Sequence, residues 1–251
     1  MSGHNKWASI KHKKAATDAK KGKVFTRIIR EIVIAVKEGG SQIENNARLR
    51  KAIDDAKEAN MPQDNIKKAI QRGSGEIPGA IYEELSYEGY GPAGVALIVE
   101  ATTDNKNRTA SDIRKIFSSH NGNLGESGCV NWIFDKKGYI TVEKSAVKED
   151  EIMNLAIEAG SDDFKSDIDS DIYEIIVPPA DLEKMKKIIK DKNIPISSAE
   201  ISMIPQTYIK LEGDNAKSML KLMDALEEHD DVKNVYANFD ISQQDMEKMN
   251  I

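Results

Sequence analysis

Gln206–Asn238, QTYIKLEGDNAKSMLKLMDALEEHDDVKNVYAN, decides the fold. It reads as a strand over residues 206–212, a helix over 214–228 and a second strand over 232–238, with Gly213-Asp214 and Asp230-Asp231 as breaks. Three elements cannot make a domain alone, so they are expected to return and complete a sheet begun earlier in the chain.

Immediately upstream the period alternates between two and 3.6. A strand at Tyr139–Val142 precedes a helix at 148–159 and strands near 162–166 and 172–177. A helix at Ala180–Asp191 and a strand at Ile196–Met203 follow. The order is βαββαβ, that of a ferredoxin-like module. Before it lie strands at 82–90 and Val95–Ala101, a helix at 109–119 and a strand at Cys129–Phe134. The tail is expected to return to this earlier group. The expected organisation is therefore α+β and multidomain. Residues 80–134 plus 205–240 form one discontinuous α+β domain, and residues 135–204 form a second ferredoxin-like domain inserted into it.

Residues 8 to about 73 read as helices. Phe25, Ile28, Ile29, Ile32, Val33 and Val36 recur at three- and four-residue spacing, and Gly39-Gly40 ends their helix. A second runs from about Ala47 to Ala59, and Met61-Pro62-Gln63-Asp64 opens a third that stops at Gly73. The result is a three-helix domain over 1–76. Gly73-Ser74-Gly75 with Pro78-Gly79 serves as its linker to the sheets.

Composition narrows the function classes. The chain has 251 residues, 39% hydrophobic and 31% charged, with no run of 18 apolar residues to cross a membrane. The Lys-rich start has no apolar segment behind it, unlike a secretory signal, and is not the Arg/Ser-rich start of a transit peptide. Cys129 is the only cysteine, which excludes a disulfide framework and fits a reducing cytoplasm. Charge is unevenly spread. Lys6, Lys11, Lys13, Lys14, Lys20, Lys21, Lys23, Arg27 and Arg30 face only Asp18 within the first thirty residues, a local +8 in a chain whose net charge is −6. The rest therefore carries −14. A polyanion senses the local field within about 10 Å, not the total.

Lys6, Lys13, Lys20 and Arg27 are seven apart, with Lys23 and Arg30 interleaved. On a helix this lines cations opposite the Phe25/Ile29/Ile32 stripe. Such a face, with Lys11 and Lys14, suits a phosphate backbone. Trp7 either stacks on a base or packs in a core, and His4 and His12 can donate to phosphate. The loop Asn105, Lys106, Asn107, Arg108 and Thr109 has two readings: a phosphate or base contact, or the cap of the next helix.

Several look-alikes fail as chemistry. Gly89-Tyr90-Gly91-Pro92-Ala93-Gly94 matches a dinucleotide fingerprint, but a strand follows where a helix is required, so it reads as a hairpin turn. Asp167, Asp169 and Asp171 imitate a calcium loop, but Ile172 replaces its glycine and Pro178 its bidentate glutamate. Gly125-Glu126-Ser127-Gly128-Cys129 lacks the last glycine of a nucleophile elbow, and Cys129 reads as an inert thiol entering an apolar strand. No catalytic constellation, metal site or cofactor is expected.

Taken together, Gly3-His4-Asn5-Lys6-Trp7, Ile10–Ala16, Phe25-Thr26, Asn60-Met61-Pro62, Tyr87–Pro92, Thr103–Thr109, Gly122–Gly125, Met203-Ile204-Pro205 and Val232–Tyr236 resemble the YebC/PmpR family over essentially the whole chain. That family includes the mitochondrial translational activator of cytochrome c oxidase subunit I. The resemblance implies three domains and a non-enzymatic role. It also implies either a DNA-binding transcriptional regulator or a ribosome-associated factor that helps translation through proline-rich stretches. The expected partner is DNA or ribosomal RNA, bound by a monomer. A protein-interaction scaffold using the acidic domains is the alternative.

Overall fold

The computed structural model describes residues 18–168, 170–242 and 245–246, with side chains from residue 22 onward. The chain forms two compact units. One comprises the described residues up to Cys129 together with Asp214–Val235, and the other comprises Val130–Gly213 with the described residues from Tyr236. In chain order the first elements are α1 (Asp18–Gly39), α2 (Ala47–Glu58), α3 (Gln63–Gly73), β1 (Glu83–Tyr90), β2 (Ala96–Thr103), α4 (Lys106–Ser119) and β3 (Asn123–Leu124). Next come β4 (Phe134–Glu143), α5 (Glu149–Glu158), β5 (Asp163–Lys165), β6 (Ile172–Val177), α6 (Leu182–Asp191) and β7 (Ser198–Pro205). The last are β8 (Ile209–Leu211), α7 (Gly213–Glu228), β9 (Val232–Ala237) and β10 (Phe239–Ile241). The architecture is α+β, helical first and sheet-containing thereafter.

The three helices close on the expected stripe. Ile32, Val33 and Val36 pack with Leu49, Ala52, Ile53, Ala56, Met61, Ile66 and Ala69, and Phe25, Ile28 and Ile29 flank them. Burying each large aliphatic of this set contributes roughly 1.5–3 kcal/mol. Asn46 organises the α1–α2 corner from a buried position. Its side-chain oxygen accepts from Leu49 N at 2.9 Å and caps α2, while its amide donates to Ala35 O at 2.7 Å and Gly40 O at 2.9 Å. Gly39 is required there, because a Cβ would stand 2.6 Å from the Asn46 amide nitrogen. Ile32 to Val36 are all buried, so this stretch of α1 is enclosed on every side, not only along the apolar stripe.

In the same unit a four-stranded sheet has the order β3-β1-β2-β9. β1 and β2 are an antiparallel hairpin pairing Glu83 with Thr103 through Tyr90 with Ala96. The Gly91–Gly94 segment is its turn, with Ala93 at φ 58° and Gly94 at φ 78°. A Cβ on Gly91 would meet Leu97, Met219 and Leu222 at 2.9–3.2 Å, so α7 lies close over this turn. β9, which follows α7, takes the place beside β2. β2 is buried along nearly its whole length, as a continuous apolar run should be when a central strand is covered on both faces.

The other unit holds an antiparallel sheet of order β5-β6-β4-β7. With α5 and α6 its strands follow the chain order βαββαβ, as in the ferredoxin-like arrangement. Ile140, Val142, Ile175 and Val177 pack with Ile152, Ala156, Leu182, Met185 and Ile189 of the two helices. β8 pairs with β10 in parallel. The strand expected at Cys129–Phe134 is not one. Cys129 N donates to Glu126 O in a turn after Gly128 at φ 88°, residues 131–133 form a 3-10 turn, and β4 starts only at Phe134. The apolar residues Val130 and Ile133 of this segment are buried, so it mimics a strand in composition.

Candidate nucleic-acid interface

Lys6, Trp7, Lys11, His12, Lys13 and Lys14 lie outside the described residues, and Lys20 belongs to α1 with its side chain outside them. The remaining cations of the expected basic face are engaged with the end of α7. Lys23 Nζ donates to Glu228 O at 2.6 Å and lies 4.0 Å from Asp230. Arg27 Nη2 donates to Glu227 O and, at 3.4 Å, to His229 O. Arg30 Nη1 donates to Asp230 O at 2.7 Å and Thr102 O at 3.2 Å, and pairs with the Asp231 carboxylate at 2.8 Å.

The physical reason lies in α7 itself. The last turn of a helix leaves carbonyls without intrahelical partners and carries partial negative charge, so cations dock there. Burial pulls the Arg27 guanidinium below its ordinary value, against the opposing charges of Glu227 and Asp230. The helical face is therefore basic as read, but between Lys23 and Arg30 it is turned onto the protein. Ile34, four residues after Arg30 and seven after Arg27, sits on the same arc and is buried. An apolar residue on a basic arc is the sequence signal that this arc is not solvated.

Asp231 is the hub of this attachment and is 3% exposed. Its Oδ2 accepts from Thr109 Oγ1 at 2.7 Å, Arg108 Nη2 at 2.9 Å and Thr103 Oγ1 at 3.2 Å, while Oδ1 faces Arg30. Burial alone would raise its pKa, but the bonds from Thr109 and Arg108 and the charge of Arg30 outweigh it and hold the carboxyl below its usual range. A second network lies beside it. Arg48 pairs with Glu31 at 2.7 Å, Glu38 at 2.7 Å and Glu84 at 2.6 Å, and Lys233 pairs with Glu31 at 2.8 Å.

Of the two readings of the 105–109 loop, the cap is what the structure displays. Asn105 Oδ1 accepts from Arg108 N at 3.1 Å at the start of α4, and Asn105 N donates to Thr103 Oγ1 at 2.9 Å. Asn107 and Arg108 are both exposed in the first turn of α4. Arg108 is shared between Asp104 and Asp231, each at 2.9 Å. The loop thus brings Arg108 together with Arg30, through Asp231.

Cys129 is partly exposed in its turn, and burial followed by the nearby Glu88 charge pushes its thiol up. Among the described residues no group of three or more His, Cys, Asp or Glu is placed to hold a metal, and no helix is long and apolar enough to cross a membrane.

Two family models match. One, described as the TACO1/YebC protein N-terminal domain, covers residues 5–76, and the other, the TACO1/YebC second and third domain, covers residues 82–239. A protein of Endomicrobium trichonymphae named "Probable transcriptional regulatory protein" is 77% identical over 250 residues, the whole of both chains. One of the same name from Citrifermentans bemidjiense is 56% identical over 99% of this chain and 100% of its own. The crystal structure of a conserved hypothetical protein from Aquifex aeolicus superposes with a TM-score of 0.79 at 45% identity, covering 90% of this chain and 93% of that one. The matches run from residue 5 in the basic N-terminal segment to residue 239 at the start of β10, and the chain belongs to the TACO1/YebC family.

Proposed function

We propose that this protein is a non-enzymatic cytoplasmic regulator of gene expression that binds nucleic acid, DNA in the first instance, through the basic segment leading into α1. In this reading residues 1–76 are the binding domain, residues 80–134 with 205–240 are its support, and residues 135–204 are an inserted domain. The protein acts as a monomer and needs no cofactor. The observation that carries it is the division of the nine cations: Lys23, Arg27 and Arg30 secure α1 to the end of α7, and six others precede them in a stretch whose only acid is Asp18. A helix held at several points gives the preceding basic segment a fixed root. The naming of close relatives as transcriptional regulators supports the regulatory part of the reading.

A second reading, binding to ribosomal RNA during translation, is favoured by one feature. All six of these cations are lysines, which position phosphates rather than read base edges. The test is a salt titration of binding to mixed-sequence duplex DNA and to purified ribosomes, with Lys11→Gln/Lys13→Gln/Lys14→Gln alongside. Each lost phosphate contact should lower the slope of log affinity against log salt by about 0.9 on duplex DNA, so a fall of about 2–3 is expected. Ribosome binding that survives physiological salt, with weak DNA binding, would select the translational reading. Unchanged slopes on both would overturn the segment as the binding element.

A further inference from the structure

The solvent face of α4 is a second basic surface, distinct from the N-terminal segment. Lys106–Ser119 contains four cations, Lys106, Arg108, Arg114 and Lys115, against one acid, Asp112. Thr109, Ile113 and Phe117 are buried, which fixes the inner face of the helix. The opposite arc carries Asn107, Ser111, Arg114 and Lys115, at spacings of four, three and one, and all four are exposed. No carboxylate lies on this arc. Asp112 stands at its margin, where His229 Nε2 lies 3.4 Å from it.

We propose that this arc binds a nucleic-acid phosphate backbone, an inference that rests on the nucleic-acid-binding reading above. Arg114 and Lys115 supply the charge, and Asn107 and Ser111 supply neutral donors to the next phosphate along. From residue 107 to residue 115 the helix rises about 12 Å, roughly three nucleotides of one strand. Charge complementarity selects the partner. An acidic protein surface would also meet these cations, but a protein interface core is depleted in lysine and built around apolar or aromatic anchors, and this arc has none.

The arc lies next to the residues that anchor α1. Arg108 and Asp112, one turn apart on α4, touch Asp231 and His229. Those two residues in turn hold Arg30 through its ion pair and Arg27 through a backbone carbonyl. The arc therefore begins beside the anchorage of α1. Arg108, shared with two carboxylates, marks the junction and contributes less net charge than Arg114 or Lys115.

The experiment compares wild-type protein with Arg114→Gln/Lys115→Gln, with Lys11→Gln/Lys13→Gln/Lys14→Gln, and with a charge-matched control, Lys184→Gln/Lys187→Gln. The control lies on α6, where Glu183 and Asp191 interrupt the exposed lysines. Binding to labelled mixed-sequence duplex DNA and to purified ribosomes is read as a function of salt, and thermal unfolding checks the fold. For Arg114→Gln/Lys115→Gln the salt slope should fall by about 2 on at least one of the two partners, with the melting temperature retained and the α6 control unchanged. An equal effect from the α6 pair would mean that only total charge matters, and would overturn the assignment. Loss of slope in the N-terminal variant alone would leave the nucleic-acid reading standing and remove α4 from it. Failure of the wild type to bind either partner would remove both.

Discussion

Arg30 and Arg108 share one carboxylate: Arg30 Nη1 lies 2.8 Å from Asp231 Oδ1, and Arg108 Nη2 lies 2.9 Å from Asp231 Oδ2. The first arginine belongs to α1 and the second to α4, and Asp231 enters between them from the loop after α7. Charges taken from water are tolerated only when paired and fully hydrogen-bonded, and Thr109 and Thr103 complete the set around this one. Removing the carboxylate leaves Arg30, whose side chain is 12% exposed, without its counter-ion. Asp231→Ala should therefore destabilise the protein by about 3 kcal/mol or more, with Asp231→Asn milder, measured by denaturant unfolding. The same group sets an acid limit. Its folded pKa is depressed, so its contribution is present above the ordinary carboxylate value and is lost as pH falls through and below it. Wild-type stability should drop more steeply below about pH 4 than that of Asp231→Asn.

Arg27 separates stability from binding. It serves the carbonyls at the end of α7 and is half-buried, so Arg27→Gln should lower stability by about 1–2 kcal/mol. The salt slope of nucleic-acid binding should stay within error of wild type. A slope that fell by about 1 with no change in melting temperature would instead make Arg27 a phosphate contact.

Glu174 works in the opposite sense to Asp231. It lies on β6, is 3% exposed, and burial pushes its carboxyl above the ordinary value. A raised folded pKa favours folding while the group is protonated, and this is lost as pH climbs from the unfolded value towards the folded one. The wild-type melting temperature should therefore decline as pH rises above about 4.3, and Glu174→Gln should flatten that decline. Parallel pH profiles for the two proteins would show that Glu174 is ionised at no cost.

Asn46→Ala tests the α1–α2 corner. The change removes the α2 cap and both amide bonds to α1, leaving Ala35 O without that buried donor. A loss of about 2 kcal/mol is expected by denaturant unfolding. Asn46→Asp should keep the cap but lose the donors and recover only part of it.

The elements most legible in the sequence were those with a strong period and clear breaks. The Phe25–Val36 stripe packs as its spacing required, and the helix expected over 180–191 falls at Leu182–Asp191 between strands in the βαββαβ order. Of the strand-helix-strand tail, β9 lies beside β2, whereas β8 pairs with β10 and belongs to the other unit. Two features were not legible. The 129–134 segment has strand-like residues, but the positive φ of Gly128 diverts the chain into a turn, and composition does not report φ. The solvation of the basic arc of α1 depended on Glu227–Asp231, about 200 residues away, and no local pattern carries that information. Asn105 is a third kind of case. Its residue type suits a cap and a ligand contact equally, and only the Asn105–Arg108 bond at the start of α4 displays the cap.

The long detour between Cys129 and Asp214 has a consequence for how the protein is born. α1 is synthesised well before its partners, because the carbonyls and carboxylate that receive Arg27 and Arg30 belong to residues 227–231. At about 5–20 residues per second, some ten to forty seconds of synthesis separate the two. For that interval Lys23, Arg27 and Arg30 lack these partners, and only synthesis of residues 227–231 lets the three fold onto them.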